Sequence, residues 1–183
     1  MFGSDFDTDF QMPWASGVLN NDQIKDEMER ADFLHEKMLE YLKQIAGENN
    51  EYSMKAMKKL QTANMEEYRV AGGNIEKQAV VALQSIHPQK VEYLGEELIK
   101  NLLQRGQDTA KGFSITSEQG NALCVALMFS LGHGFADDLL FPWVKATLED
   151  EKISDPNERA VRLEQKMRLY LARVIKYLEE RNK

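Results

Sequence analysis

The chain has 183 residues and a formal net charge of −7. That is long enough to bury a core within one domain and too acidic to meet a polyanion with its whole surface. The single cysteine, Cys124, excludes an intrachain disulfide; the opening Met-Phe-Gly-Ser-Asp has neither the basic nor the apolar region of a signal peptide, and the longest apolar run, Ala122–Leu131, is too short to span a bilayer. Leu, Met, Ala, Glu, Lys and Gln dominate and lose little on entering a helix, whereas alternating runs of Val, Ile and Thr are nearly absent. The expectation is an all-α, single-domain bundle of about six or seven helices, cytoplasmic and with no membrane partner.

Residues 1–19 read as an acidic-aromatic N-terminal arm, distinct from the helical bundle domain expected over residues 20–183. Phe2, Phe6, Phe10 and Trp14 recur every four residues with Asp5, Asp7 and Asp9 between them. The same pattern fits a two-residue alternation up to Phe10, so helix and strand stay undecided. Either the aromatics pack on the protein's own core, or the arm is a peptide that docks on a partner. In the docking case Phe2, Phe6, Phe10 and Trp14 are the partner-binding residues, and removing the arm would leave stability nearly unchanged.

The first strong helix is expected from about Asp22 to Ala46, capped by Asn20 or Asn21 and stopped by Gly47. Ile24, Met28, Ala31, His35, Met38, Leu42 and Ile45 form its apolar stripe. A second helix is expected over about Glu51–Ala71 with Met54, Met57, Leu60 and Met65 inward. Gly72-Gly73 breaks it, and Asn74 caps a third, short helix through Ile86. Pro88 opens a fourth helix, since proline needs no amide donor in a first turn. Val91, Leu94, Leu98 and Leu102 face one side of it, and Gly106 is expected to end it.

Thr116 with Gln119 has capping-box spacing and introduces a helix expected at about 117–132. From Ala122 to Leu131 only Ser130 is polar. A helix that is apolar all round must be buried by neighbours on every side, so this one belongs at the centre. Gly132-His133-Gly134 ends or kinks it. The stretch Phe135–Asp150 is helical in composition but carries Pro142, which predicts a bend near Phe141 or a restart at Pro142. The last helix has the clearest start: Asp155 as cap, Pro156 at the first position and Glu158 where a capping box wants an acid. It should reach about Glu180, with Ala160, Leu163, Met167, Leu171, Val174 and Leu178 inward.

Pro88–Leu102, through Val91, Leu94, Gly95, Glu96 and Leu98, resembles one helix of globin-like proteins over that stretch alone. No haem-ligating histidine has room before it, so the resemblance implies no haem function, and no cofactor is expected.

Three histidines bound the possible chemistry. His35 has Asp32 three residues before it, half of a carboxylate-bridged metal site, but no second such pair exists, which favours a hydrogen-bonded core histidine. His87 reads as a helix-entry residue. His133 with Asp137 and Asp138 is the candidate metal or acid–base site, because residues four apart share a helix face; the alternative is that Asp137 caps the next helix and His133 packs at a helix end. Cys124 lies in the apolar helix and reads as an inert thiol. No phosphate loop, nucleophile elbow or Cys-x-x-Cys occurs.

Charge is uneven. Residues 107–153 carry a net −4 and residues 154–183 a net +3. Arg159, Arg162, Lys166, Arg173 and Lys176 line one face of the last helix and could bind phosphates or an acidic partner. The overall charge and the lack of interleaved aromatics disfavour nucleic acid. The leading expectation is a non-enzymatic helical interaction or adaptor protein that binds another protein or itself. A metal-binding or enzymatic protein centred on His133, Asp137 and Asp138 comes next, then a nucleic-acid-associated protein using the basic C-terminal helix.

Overall fold

The computed structural model describes residues 3–65 and 75–181, with 72% helix and no strands among the described residues. The helices in chain order are α1 Pro13–Leu19, α2 Glu27–Ala46, α3 Glu51–Thr62, α4 Ile75–Ile86, α5 Pro88–Gly112, α6 Glu118–Leu131, α7 Pro142–Leu148 and α8 Pro156–Arg181. The all-α bundle expected from composition is the fold that forms. Among the described residues there is one helix more than the upper expectation, because Pro13 opens a short helix inside the aromatic arm. No helix among the described residues is long and apolar enough to cross a membrane.

The centre is α6, as its composition requires. Every residue from Leu123 to Phe129 is buried. With no polar face to offer water, the helix is covered by α5 along one flank and by α8 and α4 on others. Leu123 and Leu127 are wholly enclosed, each contributing roughly 2 kcal/mol by burial. Cys124 is enclosed as well, and burial pushes its thiol up to about 12, which keeps it protonated and unreactive. The helix starts at Ser117 rather than Thr116: Ser117 Oγ accepts from Gly120 N at 3.2 Å. The amides of Thr116 and Ser117 go instead to Asn157 Oδ1, at 3.0 and 2.9 Å, and so tie the start of α6 to the start of α8.

Gly106 does not terminate its helix. It is buried in the interior of α5, facing α6, where a Cβ would lie 2.9 Å from Val125 Cα. The residue is there to let two helix backbones approach. α5 bends earlier, at Gly95, which adopts φ 71°, ψ 175°.

α3 ends at Thr62, short of the expected Ala71. Ala63 is extended, and the Arg168 guanidinium on α8 takes the carbonyls of Gln61 and Ala63 at 3.0 and 2.5 Å. A long-range donor has thus replaced the next helical turn. The expected Gly72-Gly73 break and Asn74 cap lie outside the described residues. At Pro142 the helix restarts: residues 132–141 form turns, and α7 begins at the proline itself. α8 starts as its sequence dictates, with Asp155 Oδ1 accepting from Asn157 N at 2.9 Å. Its buried face is Ala160, Leu163, Met167, Leu171 and Ile175, with Val174 and Leu178 half-buried.

α2 departs most from expectation. It begins at Glu27, capped by Asp26, because Asn21 closes a local turn onto Gln23 N and Asn20 caps α1. Its predicted inward stripe faces solvent over the first half of the helix. His35 and Ala31 are exposed, and Met28 is 72% exposed. His35 is therefore no core histidine. The buried side lies about a quarter-turn round, at Tyr41 and Ile45, packed with Met12 and half-buried Trp14 and Tyr93. Arg30 fixes that orientation by donating to the carbonyls of Val18, Leu19 and Ile24 at the end of α1 and in the loop beyond.

Candidate functional site

The chemically richest place in the fold is the C-terminal end of α6. The last carbonyls of a helix lack intrahelical donors, and the helix dipole makes that end negative. Here three donors converge on it. Gln11 Nε2 and Gly132 N reach Met128 O, at 2.9 and 3.1 Å, and Lys90 Nζ reaches Phe129 O. The Lys90 ammonium also lies 5.0 Å from the Phe129 ring centroid.

Gln11 arrives because the N-terminal segment is strapped across this end. Asp9, itself buried, accepts from Gln11 N at 2.9 Å through Oδ1 and from His133 N at 3.1 Å through Oδ2. Asp138, also buried, accepts from Ser4 N at 2.9 Å and from Leu140 N at 2.8 Å. The His133 ring sits between two carboxylates of the strap, Nε2 at 3.3 Å from Asp5 and Nδ1 at 3.5 Å from Asp9. The glycines around His133 make room for this. Gly132 has φ 116°, which L side chains rarely adopt, and a Cβ on Gly134 would collide with the Asp5 carboxylate.

The three residues His133, Asp137 and Asp138 do not converge. Asp137 is exposed and pairs with Lys145 at 2.7 Å, Asp138 is spent on backbone amides, and His133 turns to Asp5 and Asp9. Among the described residues no group of three His, Cys, Asp or Glu side chains is placed to hold a metal ion. A shallow cleft does open beside His133, lined by Asp5, Thr109, Phe113, Asp137 and Asp138. A carboxylate-flanked imidazole is a general-base arrangement. No described hydroxyl is hydrogen-bonded to the ring to serve as nucleophile.

The arm's aromatics are divided. Phe6 is 37% exposed. Phe10 is half-buried, with the Arg105 guanidinium 5.0 Å from its ring centroid. Trp14 lies in α1 with its ring 5.9 Å from that of Tyr41. Phe2 lies outside the described residues. Asp9, Gln11, Met12 and Ala15 are buried, so the segment is held by the bundle, and the expectation that its removal costs little stability is replaced by the opposite one.

The basic face of α8 also divides. Arg159 donates to the carbonyls of Ile153 and Leu148 at 2.8 and 2.9 Å, and Lys166 donates to Thr147 Oγ1 at 2.7 Å, so both hold the α7 end against α8. Arg162 and Arg173 are exposed, and Lys176 lies 4.0 Å from Glu180. Arg168, outside the expected set, also pairs with buried Glu164 at 2.6 Å, beside its bonds to the carbonyls of Gln61 and Ala63.

Between α4, α5 and α6 lies a cavity of about 570 Å³ with Leu83, Ile86, Leu103, Ile115 and Val125 on its floor and Gln104, Asp108 and Lys111 at its rim. The cavity is therefore an open cleft with an apolar floor and a polar, charged rim.

Two buried bases stand beside the C-terminal end of α6. Burial, reinforced by the charge of Lys90, pushes the His87 imidazole down to about 4. Burial pushes Lys90 down to about 8, with Asp9 opposing it. Between pH 6.5 and 4 the unfolded chain binds a proton at His87 that the native state refuses. The His87 contribution to stability is therefore full above the unfolded value and falls as pH drops through this window. Urea titrations at stepped pH should show that decline in wild type and a flatter profile in His87→Gln; an unchanged slope in the variant would show that another group carries it.

No protein-family model, curated protein or solved structure matches the chain.

Proposed function

We propose that the chain is a non-enzymatic helical interaction protein, binding another protein or a second copy of itself. One observation carries the reading: the stripe of α2 is left uncovered over its first half, where Ala31 and His35 are exposed and Met28 is 72% exposed, and Leu39, farther along and beside the stripe, is 51% exposed. Helices that end in water do not keep a large apolar stripe without a covering surface. The stripe lies on a helix that is otherwise capped and anchored by Arg30, so its orientation is fixed rather than incidental. In the arm, Phe10 and Trp14 are engaged by their own bundle, which leaves α2 as the surface offered to a partner.

The test is in-cell crosslinking of wild type and a Met28→Asp/Leu39→Asp double variant. Wild type is expected in discrete complexes that the variant does not enter, while the variant's thermal midpoint stays within a few degrees, as surface changes rarely exceed about 0.5 kcal/mol. Complexes retained by the variant would move the contact off α2. No complex with either protein would end the reading.

A further inference from the structure

Met28, Ala31, His35 and Leu39 are exposed and follow one another at steps of three, four and four, so they form one row along α2. Each is followed in sequence by an exposed acid: Glu29, Asp32, Glu36 and Glu40. One residue is about 100° of rotation in a helix, so the acids form a second row beside the first, on its solvent side. On the other side of the first row Leu34, Met38 and Leu42 are half-buried and turn toward the chain's own bundle. We propose that the two exposed rows receive a basic amphipathic helix of another protein. Its apolar side covers Met28, His35 and Leu39, and its lysines or arginines reach Asp32 and Glu36. This rests on the interaction reading above and names the chemistry of the partner.

The fold does not account for the acid row. Glu40 is paired with Lys37 at 2.7 Å, but Glu29, Asp32 and Glu36 make no ion pair with another described residue. Glu29 lies in the first turn, where the helix dipole favours a negative charge. Asp32 and Glu36 lie beyond that turn and gain nothing from it. Acids three and four apart on a helix repel each other, and a solvated face ordinarily answers them with a base at the same spacing. No lysine or arginine stands three or four residues from Asp32 or Glu36 in either direction. Arg30, the base nearest in sequence to Asp32, is turned away onto the carbonyls of Val18 and Leu19.

A partner that brings cations relieves this repulsion while it covers the apolar row. Nucleic acid and anionic lipid surfaces are negative themselves and fail that requirement. The same face of a second copy would set acid on acid. Cations along one flank of an apolar stripe describe a basic amphipathic helix. One exposed row meeting one helix is a small contact, so a dissociation constant on the order of 10 µM is expected, with a marked dependence on salt.

Titration of the full chain with a synthetic helical peptide of about 18 residues tests this. The probe is built from leucine on one side and lysine on the other, and a matched leucine–glutamate peptide is the control. Wild type should bind the lysine peptide, at least about tenfold more weakly at about 300 mM salt than at about 50 mM, and should not bind the glutamate peptide. Asp32→Lys/Glu36→Lys should reverse that preference, and Met28→Gln/Leu39→Gln should weaken lysine-peptide binding about tenfold or more; far-ultraviolet circular dichroism confirms that each variant is folded. A wild type that binds neither peptide or both alike, or lysine-peptide binding that survives the charge reversal, overturns the basic partner. Binding indifferent to Met28→Gln/Leu39→Gln overturns the apolar row as part of the contact. The crosslinking experiment separates this from the broader reading: complexes that Asp32→Lys/Glu36→Lys still enters, but Met28→Asp/Leu39→Asp does not, overturn the basic partner and leave α2 as the contact.

Discussion

Gly106→Leu is expected to abolish the native bundle. Glycine in a helix interior ordinarily costs about 1 kcal/mol against alanine, so propensity alone would make any substitution there favourable. Packing reverses the sign. A Cβ at this position lies 2.7 Å from Val125 Cγ2 and 2.9 Å from Val125 Cα, and the second of these is backbone that no rotamer change can move. Gly106→Ala should therefore lose about 1–3 kcal/mol, the usual cost of overpacking, despite its better helix propensity. Leucine adds three more carbons to the tightest part of the α5–α6 contact, which is the most extensive helix pair in the fold. Its loss should exceed what a marginally stable domain can tolerate. Thermal melts followed by circular dichroism check both. An alanine variant more stable than wild type would show that α5 and α6 separate easily and that the close approach is not a constraint.

The same residue shows what the sequence conceals. A glycine near the end of an apolar stripe signals a helix terminus by local rules, and only the neighbouring helix reveals that it marks a crossing. α6 was legible because being apolar on every side allows one environment, and α8 because Asp155, Pro156 and the inward stripe agree with one another. α2 was misread for an instructive reason: its stripe is regular, but regularity states only that something apolar should cover it. The strap was hidden because its bonds join residues far apart, Asp9 to His133 and Gln11 to Met128, and nothing local to either end announces the pairing. Two traces were available. Lys90 stands on the apolar side of its helix beside Val91 and Leu94, and glycines flank His133 on both sides where backbone must be approached closely.

Asp9→Ala is expected to lower stability by about 3 kcal/mol, the upper range for losing hydrogen bonds to a charged group. The carboxylate receives the amides of Gln11 and His133 at 2.9 and 3.1 Å. It is also the anion that offsets the desolvation of the buried Lys90 ammonium. Alanine leaves two donors without acceptors and a buried cation without its counter-charge, a combination worse than replacing the whole set by apolar groups. Two features separate this account from a simple cavity effect. First, Asp9→Asn keeps the volume and one acceptor but not the charge, so it should recover only part of the loss. Second, Asp9→Ala should be less damaging when combined with Lys90→Met, because the second change removes the charge that the first abandons, and the double-mutant cycle should show a coupling above about 1 kcal/mol. Additive losses would mean that Asp9 acts through the two amides alone. A loss below the usual range for an exposed site would show that the strap contributes little to the bundle, and the N-terminal segment would again be free to serve as a docking arm.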